Sequence, residues 1–232
     1  KELWHTTPLF HGFFIMSMAP WGTVLGSIFG GIPTEKYGRK KVLLWIGILF
    51  SVSAIGSALA QDPYTFSFFR FMGGIGIGVS SVVAPTYISE ISTPASRGRL
   101  VAMYQFNIVF GILIAFLSNY FLEGVGGSSD WRWMLGVMAV PSIIYTVMVL
   151  GIPESPRWLE SKNTQKQDSI QQELFAVRNK RIIGLAFMIA FFNQVSGINF
   201  ILYYAPEILE RAGLAAKDSL FNSIAIGGTN LL

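Results

Sequence analysis

Gln105, Asn193, Gln194, Asn199 and Asn230 are amide side chains that stand inside apolar stretches of this 232-residue sequence. An amide donates and accepts hydrogen bonds without carrying charge. In hydrocarbon it is costly unless a partner or water meets it, so each is expected to face another helix or a hydrated cavity. Gln105, Ile108 and Ile112 fall at i, i+3 and i+7, one polar contact above an apolar wall on a single helix face. On an ideal helix Gln194 and Asn199 lie about 140° apart. Gly197 between them offers a place where the turn can unwind, which would aim both groups into one cavity. The competing reading is plain interhelical hydrogen bonding, at about 1 kcal/mol per contact.

The charged residues suggest a second kind of chemistry. Arg70 lies inside an apolar stretch, where a charge costs several kcal/mol unless paired or hydrated, which makes it a functional candidate. Glu90, Arg97, Glu154 and Arg157 stand near stretch ends, where opposite charges can pair at less than about 1 kcal/mol when exposed. His5 and His11 form no metal pair at any helical spacing, there is no cysteine, and no nucleophile stands beside a base. Neither an enzyme nor a cofactor or metal site is expected. The run Gly73 to Gly78 (GGIGIG) invites a dinucleotide reading, but the third glycine of GxGxxG is missing at Val79 and no strand pattern precedes it.

The elements that must position these residues are membrane spans. The chain is 52% hydrophobic and 13% charged, with a mean hydropathy of +0.50, too little polar covering for a soluble core of this size. A helix crosses the hydrocarbon with about 20 mostly apolar residues. Such stretches run over 9–32, 42–60, 65–89, 99–122, 132–152 and 181–206, and a seventh begins near Ser219. Gly22, Gly26 and Gly30, and Gly74 and Gly78, recur at every fourth position, a spacing that lets helices approach closely in lipid.

Net charge is +4, but its placement argues against a nucleic-acid partner. Twelve of the seventeen Lys and Arg residues fall in alternate loops: Lys36, Arg39, Lys40 and Lys41; Arg97 and Arg99; and six between Arg157 and Arg181. The positive-inside rule makes these loops cytoplasmic and places the first residue outside, so an earlier span is expected to be missing. A polar stretch over 160–180 divides an N-terminal bundle (1–159) from the start of a C-terminal one (181–232).

Five motifs, in order, resemble those of the sugar porter family of the major facilitator superfamily. They are GGIPTEKYGRKK (Gly30 to Lys41, with Glu35 where aspartate is usual), RFMGGIGIG (Arg70 to Gly78), PTYISEISTPASRGRL (Pro85 to Leu100), PESPRWL (Pro153 to Leu159) and NQVSGINFILYYAPEI (Asn193 to Ile208). The resemblance implies an all-α polytopic membrane protein of which this chain holds the second helix to the start of the eighth, six full spans and part of a seventh, with a shortened intracellular helical region.

It further implies alternating-access transport of a monosaccharide or polyol, by proton symport or facilitation, in the bacterial inner membrane. A sugar sensor or an organic-acid carrier is the alternative. Gln105, Gln194, Asn199 and Asn230 match sugar-contacting positions, with Ile108 and Ile112 beside them and Asn193 in place of a common glutamine. Tyr203 and Tyr204 match an outer gate. Glu35, Arg39, Glu90, Arg97, Glu154 and Arg157 match the cytoplasmic gate charges that clasp the two halves, and Arg70 the coupling position. Sugar, a proton and the lipid bilayer are the implied partners.

Overall fold

A computed structural model describes residues 11–163, 184, 185, 188, 192, 198–213 and 216–231. The described residues are mostly helical, with no strand among them. A π-helical turn, His11–Met16, leads into α1 (Met18–Phe29). There follow α2 (Gly31–Tyr37), α3 (Arg39–Leu59), α4 (Pro63–Ile91), α5 (Arg97–Leu122), α6 (Asp130–Gly136), α7 (Ala139–Gly151), α8 (Pro156–Asn163), α9 (Ile198–Arg211) and α10 (Ala216–Leu231). Among the described residues, four helical segments are long and apolar enough to cross a membrane: α3, α4, α5 and the 22 residues Asp130–Gly151 that join α6 to α7.

Four of the expected spans coincide with these segments to within three residues. The first differs. The first span was expected to end at 32, with 33–37 in a loop, but 31–37 form α2, because Gly30 keeps helical angles (φ −61°, ψ −24°) and passes the chain on with little break. The break comes instead at Gly38, whose φ of +95° is open to glycine and strained for other residues. The expected sixth span, 181–206, lies largely outside the described residues. Its described end, α9, continues through Pro206 to Arg211.

The helix ends follow from local sequence. Asp62 accepts a hydrogen bond from the Thr65 backbone N–H (2.8 Å) and Pro63 occupies the first turn, so α4 starts with an N-cap and a residue that has no N–H to satisfy. At the other end of α3, Arg132 Nη1 donates to the Ala58 carbonyl (2.9 Å), meeting one of the carbonyls that a helix C-terminus leaves bare.

The residues group into two compact units, Lys1–Tyr104 with Leu122–Trp158, and Gln105–Phe121 with Leu159–Leu232. A division at residue 159 alone would keep α5 in one piece. Its turns 105–121 instead join the second unit, because they pack on α10: the Tyr120 and Phe221 rings lie 5.9 Å apart, and a Cβ built on Gly227 would sit 3.1 Å from Phe116.

In the first unit a core of Val42, Leu43 and Ile46 from α3, Val79, Val83 and Tyr87 from α4, and Val149 from α7 is buried. The glycines recognised by their spacing close the α1–α4 seam. A Cβ on Gly26 would fall 3.0 Å from Ile75 Cα and 3.1 Å from Gly78 Cα, and one on Gly74 3.0 Å from Ala19 Cα. The GGIGIG run therefore serves backbone-to-backbone packing. Away from the seam α3 exposes Trp45, Ile48, Val52, Ile55 and Leu59, the apolar surface that a bilayer covers.

Candidate functional site

Two groups of sequence-predicted residues can be followed in the structure. The first is the candidate cargo face of α5. Gln105 and Ile108 are exposed and Ile112 is half-buried. Phe116, four residues beyond Ile112 on the same face, is buried against Gly227 of α10. Helices α5 and α10 run antiparallel, since Phe221 meets Tyr120 while Gly227, further along α10, meets Phe116 and Leu113, earlier on α5. Carried one turn further, this register brings the backbone of Asn230 level with the Ile112 turn. Gln105 and Asn230 thus stand on packed helices of one unit.

Asn199, Tyr203 and Tyr204 belong to α9, but their side chains, like that of Asn230, lie outside the described residues, and so do Asn193 and Gln194 altogether. Arg70 is half-buried within α4.

The second group is an ionic cluster at the basic end of the first unit. Arg39 opens α3, and its guanidinium grips Glu90 of α4 with two hydrogen bonds, Nε to Oε2 at 3.0 Å and Nη2 to Oε1 at 2.8 Å. Only 8% of the Arg39 side chain and 10% of Glu90 are exposed. A buried pair persists when the remaining donors and acceptors are also met, and here they are. Arg39 Nη1 donates to the Thr34 carbonyl at 3.3 Å, Nη2 approaches Glu35 at 3.4 Å, and Ser155 Oγ donates to Glu90 Oε2 at 2.5 Å.

Glu154 has a different task. Its Oε1 accepts from the backbone N–H groups of Arg39 (2.9 Å) and Lys40 (3.0 Å), and from that of Ser155 (2.9 Å). The carboxylate therefore sits on the N-terminus of α3, where bare N–H groups and the helix dipole favour an anion. Gly38 makes this approach possible, because a Cβ there would strike the Glu154 carboxylate and come within 3.2 Å of Trp158.

Arg97 and Arg157 do not enter the cluster. Arg157 is exposed, and the buried Nε of Arg97 has no hydrogen-bond partner among the described residues. Residues that sequence reasoning passed over do enter. Ser155 is fully buried, bridges to Glu90 and caps α8 through the Trp158 N–H (3.3 Å). Trp158 Nε1 donates to the Glu35 carbonyl (2.8 Å), and the Tyr87 hydroxyl donates to the Pro153 carbonyl (2.8 Å). The signal for Ser155 was present, since Ser followed by Pro is an N-cap with proline at the first helical position. The mutual contacts of the cluster tie α2, α3, α4 and the start of α8 together within the first unit.

Comparison with known proteins places this architecture. The profile of the family described as "Sugar (and other) transporter" matches residues 12–172 and 163–232. The arabinose-proton symporter of Bacillus subtilis (strain 168) is 33% identical over 98% of this chain and 56% of its own length. The major myo-inositol transporter IolT of the same organism is 31% identical over 94% of this chain and 53% of its own.

Among solved structures, the xylose transporter XylE from E. coli in a partially occluded inward open conformation superposes with a TM-score of 0.79. Its identity is 30%, over 94% of this chain and 59% of that one. The chain spans about half the length of the curated relatives it matches. Matched along nearly all of its residues, the chain belongs to the sugar (and other) transporter family of the major facilitator superfamily, a family of integral membrane transporters.

Proposed function

We propose that this chain supplies the cargo face and one gate block of a transporter that moves a monosaccharide or polyol across the bacterial inner membrane by alternating access. The observation that carries the reading is the α5 face. It sets the exposed amide of Gln105 over Ile108 and Ile112, and the antiparallel run of α10 supports a place for Asn230 near the Ile112 turn. Hydroxyls meet the amides and the C–H faces of a sugar ring meet the isoleucines, with no fixed charge to hold a neutral cargo too tightly.

Asn193, Gln194 and Asn199 complete the amide set, and Tyr203 and Tyr204 close it from outside. The relatives named as an arabinose-proton symporter and a myo-inositol transporter support cargo of this class. The first of those names also supports a coupled proton, for which Arg70 is the coupling candidate. At the basic end Glu35, Arg39, Glu90 and Glu154 hold the helix ends as one block that moves as a gate element, with Arg97 and Arg157 available to engage across it.

The test is uptake of labelled xylose, arabinose and myo-inositol by cells that express the protein and lack their own carriers. Saturable uptake of at least one, reduced tenfold or more by Gln194→Ala and by Gln105→Ala, is expected. Uptake of a cargo that both variants carry as well as the parent protein would overturn the site assignment. No uptake of any of the three would overturn the cargo class.

A further inference from the structure

Lys36 and Lys41 take no part in the ionic cluster. Both are exposed, and among the described residues neither forms an ion pair. Lys40 between them is occupied, its Nζ donating to the Leu150 carbonyl at 3.0 Å, and the nearby Glu35 carboxylate turns to Arg39. The two lysines flank an aromatic pair. Lys36 Nζ stands 5.2 Å above the Tyr37 ring, Tyr37 meets Trp45 edge-on at 5.1 Å, and Trp45 lies one helical turn below Lys41 on the same face of α3. Tyr37 and Trp45 are 40% and 43% exposed.

Below Trp45 the same face continues as Ile48, Val52, Ile55 and Leu59, all exposed. From Lys41 to Leu59 the stripe is about 27 Å long at 1.5 Å per residue, close to the thickness of the hydrocarbon layer. One face thus presents two unpaired ammonium groups at the headgroup level, an amphipathic aromatic pair at the interface and an apolar track beneath.

We propose that this face is a binding site for an anionic glycerophospholipid. Its phosphate sits between Lys36 and Lys41, its glycerol ester carbonyl accepts from the Trp45 indole N–H, and one acyl chain lies along Ile48, Val52 and Ile55. Charge complementarity selects the occupant: a zwitterionic lipid brings no net negative charge to the two ammonium groups, and a soluble phosphate cannot use the track.

The experiment titrates the purified full chain, stripped of lipid in a neutral detergent, with phosphatidylglycerol or with phosphatidylcholine of the same acyl chains, and counts bound lipid by native mass spectrometry. Phosphatidylglycerol binds at least tenfold more tightly than phosphatidylcholine. In Lys36→Gln/Lys41→Gln it binds about thirty-fold more weakly than in the parent chain. The control Arg99→Gln/Lys162→Gln, which removes the same charge elsewhere at the basic end, binds as the parent does. Circular dichroism checks that each variant keeps its helix content. Unchanged affinity in the first variant, equal binding of the two lipids, an equal loss in the control, or displacement by millimolar glycerol phosphate would each overturn the site.

Discussion

Glu154, three residues past the end of α7, caps α3, and Lys40 of α3 caps α7. Glu154 Oε1 accepts from the Lys40 backbone N–H at the start of α3, while Lys40 Nζ donates to the Leu150 carbonyl at the end of α7, four residues before Glu154. An anion rests on a helix N-terminus and a cation on a helix C-terminus, both in the sense the helix dipole favours. Two helices whose own sequences offer no side-chain cap at these ends are thereby joined by exchanged caps.

The exchange predicts an asymmetric response to substitution. Glu154→Ala leaves the N–H groups of Arg39, Lys40 and Ser155 without this acceptor and is expected to lower stability by about 1–3 kcal/mol. Glu154→Gln keeps an oxygen acceptor and gives up the charge, so it is expected to lose less. Thermal unfolding of the three proteins in the same detergent orders them; equal loss in both variants would show that the hydrogen bonds matter little beside the charge.

The buried pair of Arg39 and Glu90 predicts strong non-additivity. Arg39→Met strands the Glu90 carboxylate, and Glu90→Leu strands the guanidinium, each at a cost of about 3–5 kcal/mol. Arg39→Met/Glu90→Leu strands neither charge, so the double variant is expected to lose less than the sum of the singles. Unfolding titrations with denaturing detergent measure all four corners of the cycle. An additive result would mean that the pair is not coupled despite its two-pronged geometry.

At the opposite end of the bundle the prediction concerns pH. The Thr65 hydroxyl, and then the Thr65 backbone N–H, hold the Asp62 carboxyl below its usual value of 3.8. A depressed folded-state pKa contributes stability that is present above about 4 and is lost as pH falls through the folded value. The melting temperature of the parent chain is therefore expected to fall further between pH 5 and pH 3 than that of Asp62→Ala, which has no carboxylate there to protonate. Parallel melting curves over that window would remove the cap from the account.

Much of this was legible in the residues, for identifiable reasons. Hydropathy located α3, α4, α5 and α7, because a lipid-facing helix must be apolar on most of its surface. Fourth-position glycines announced the α1–α4 seam. Asp-Pro before Tyr64 carries the N-cap and first-turn proline of α4, a local signal that the hydropathy span 65–89 does not use. The route of the Glu154 carboxylate was hidden, since sequence shows a glutamate near arginines and suggests a side-chain ion pair. Its actual acceptors' partners are backbone N–H groups brought within reach by the positive φ of Gly38. That Arg97 and Arg157 stand outside the cluster was hidden for a related reason: motif order cannot say which cation of several wins a carboxylate, and Arg39 wins Glu90 by lying on a helix packed directly against α4. The end of α2 could be read from Tyr37-Gly38, but its helical start could not, because nothing in Gly30-Gly31 favours a helix.

The α1–α4 seam gives the sharpest steric prediction. A Cβ on Gly74 would meet the Ala19 backbone, with Ala19 Cα at 3.0 Å, and one on Gly78 would fall 2.6 Å from the Ser27 backbone nitrogen. Backbone cannot swing aside as a side-chain tip can, so Gly74→Ala must push the two helices apart along their closest line. A forced extra carbon in a well-packed interior costs about 1–3 kcal/mol, and Gly74→Ala also removes the conformational cost of glycine in a helix, worth up to about 1 kcal/mol in the other direction. The steric term is the larger, so a net loss is expected. Gly111→Ala on α5, where an added Cβ meets nothing within 4 Å, feels the propensity gain alone and is expected to be neutral or stabilising. Comparing the two variants by thermal unfolding separates the terms; a stabilised Gly74→Ala would mean that the helices do not approach as closely as described.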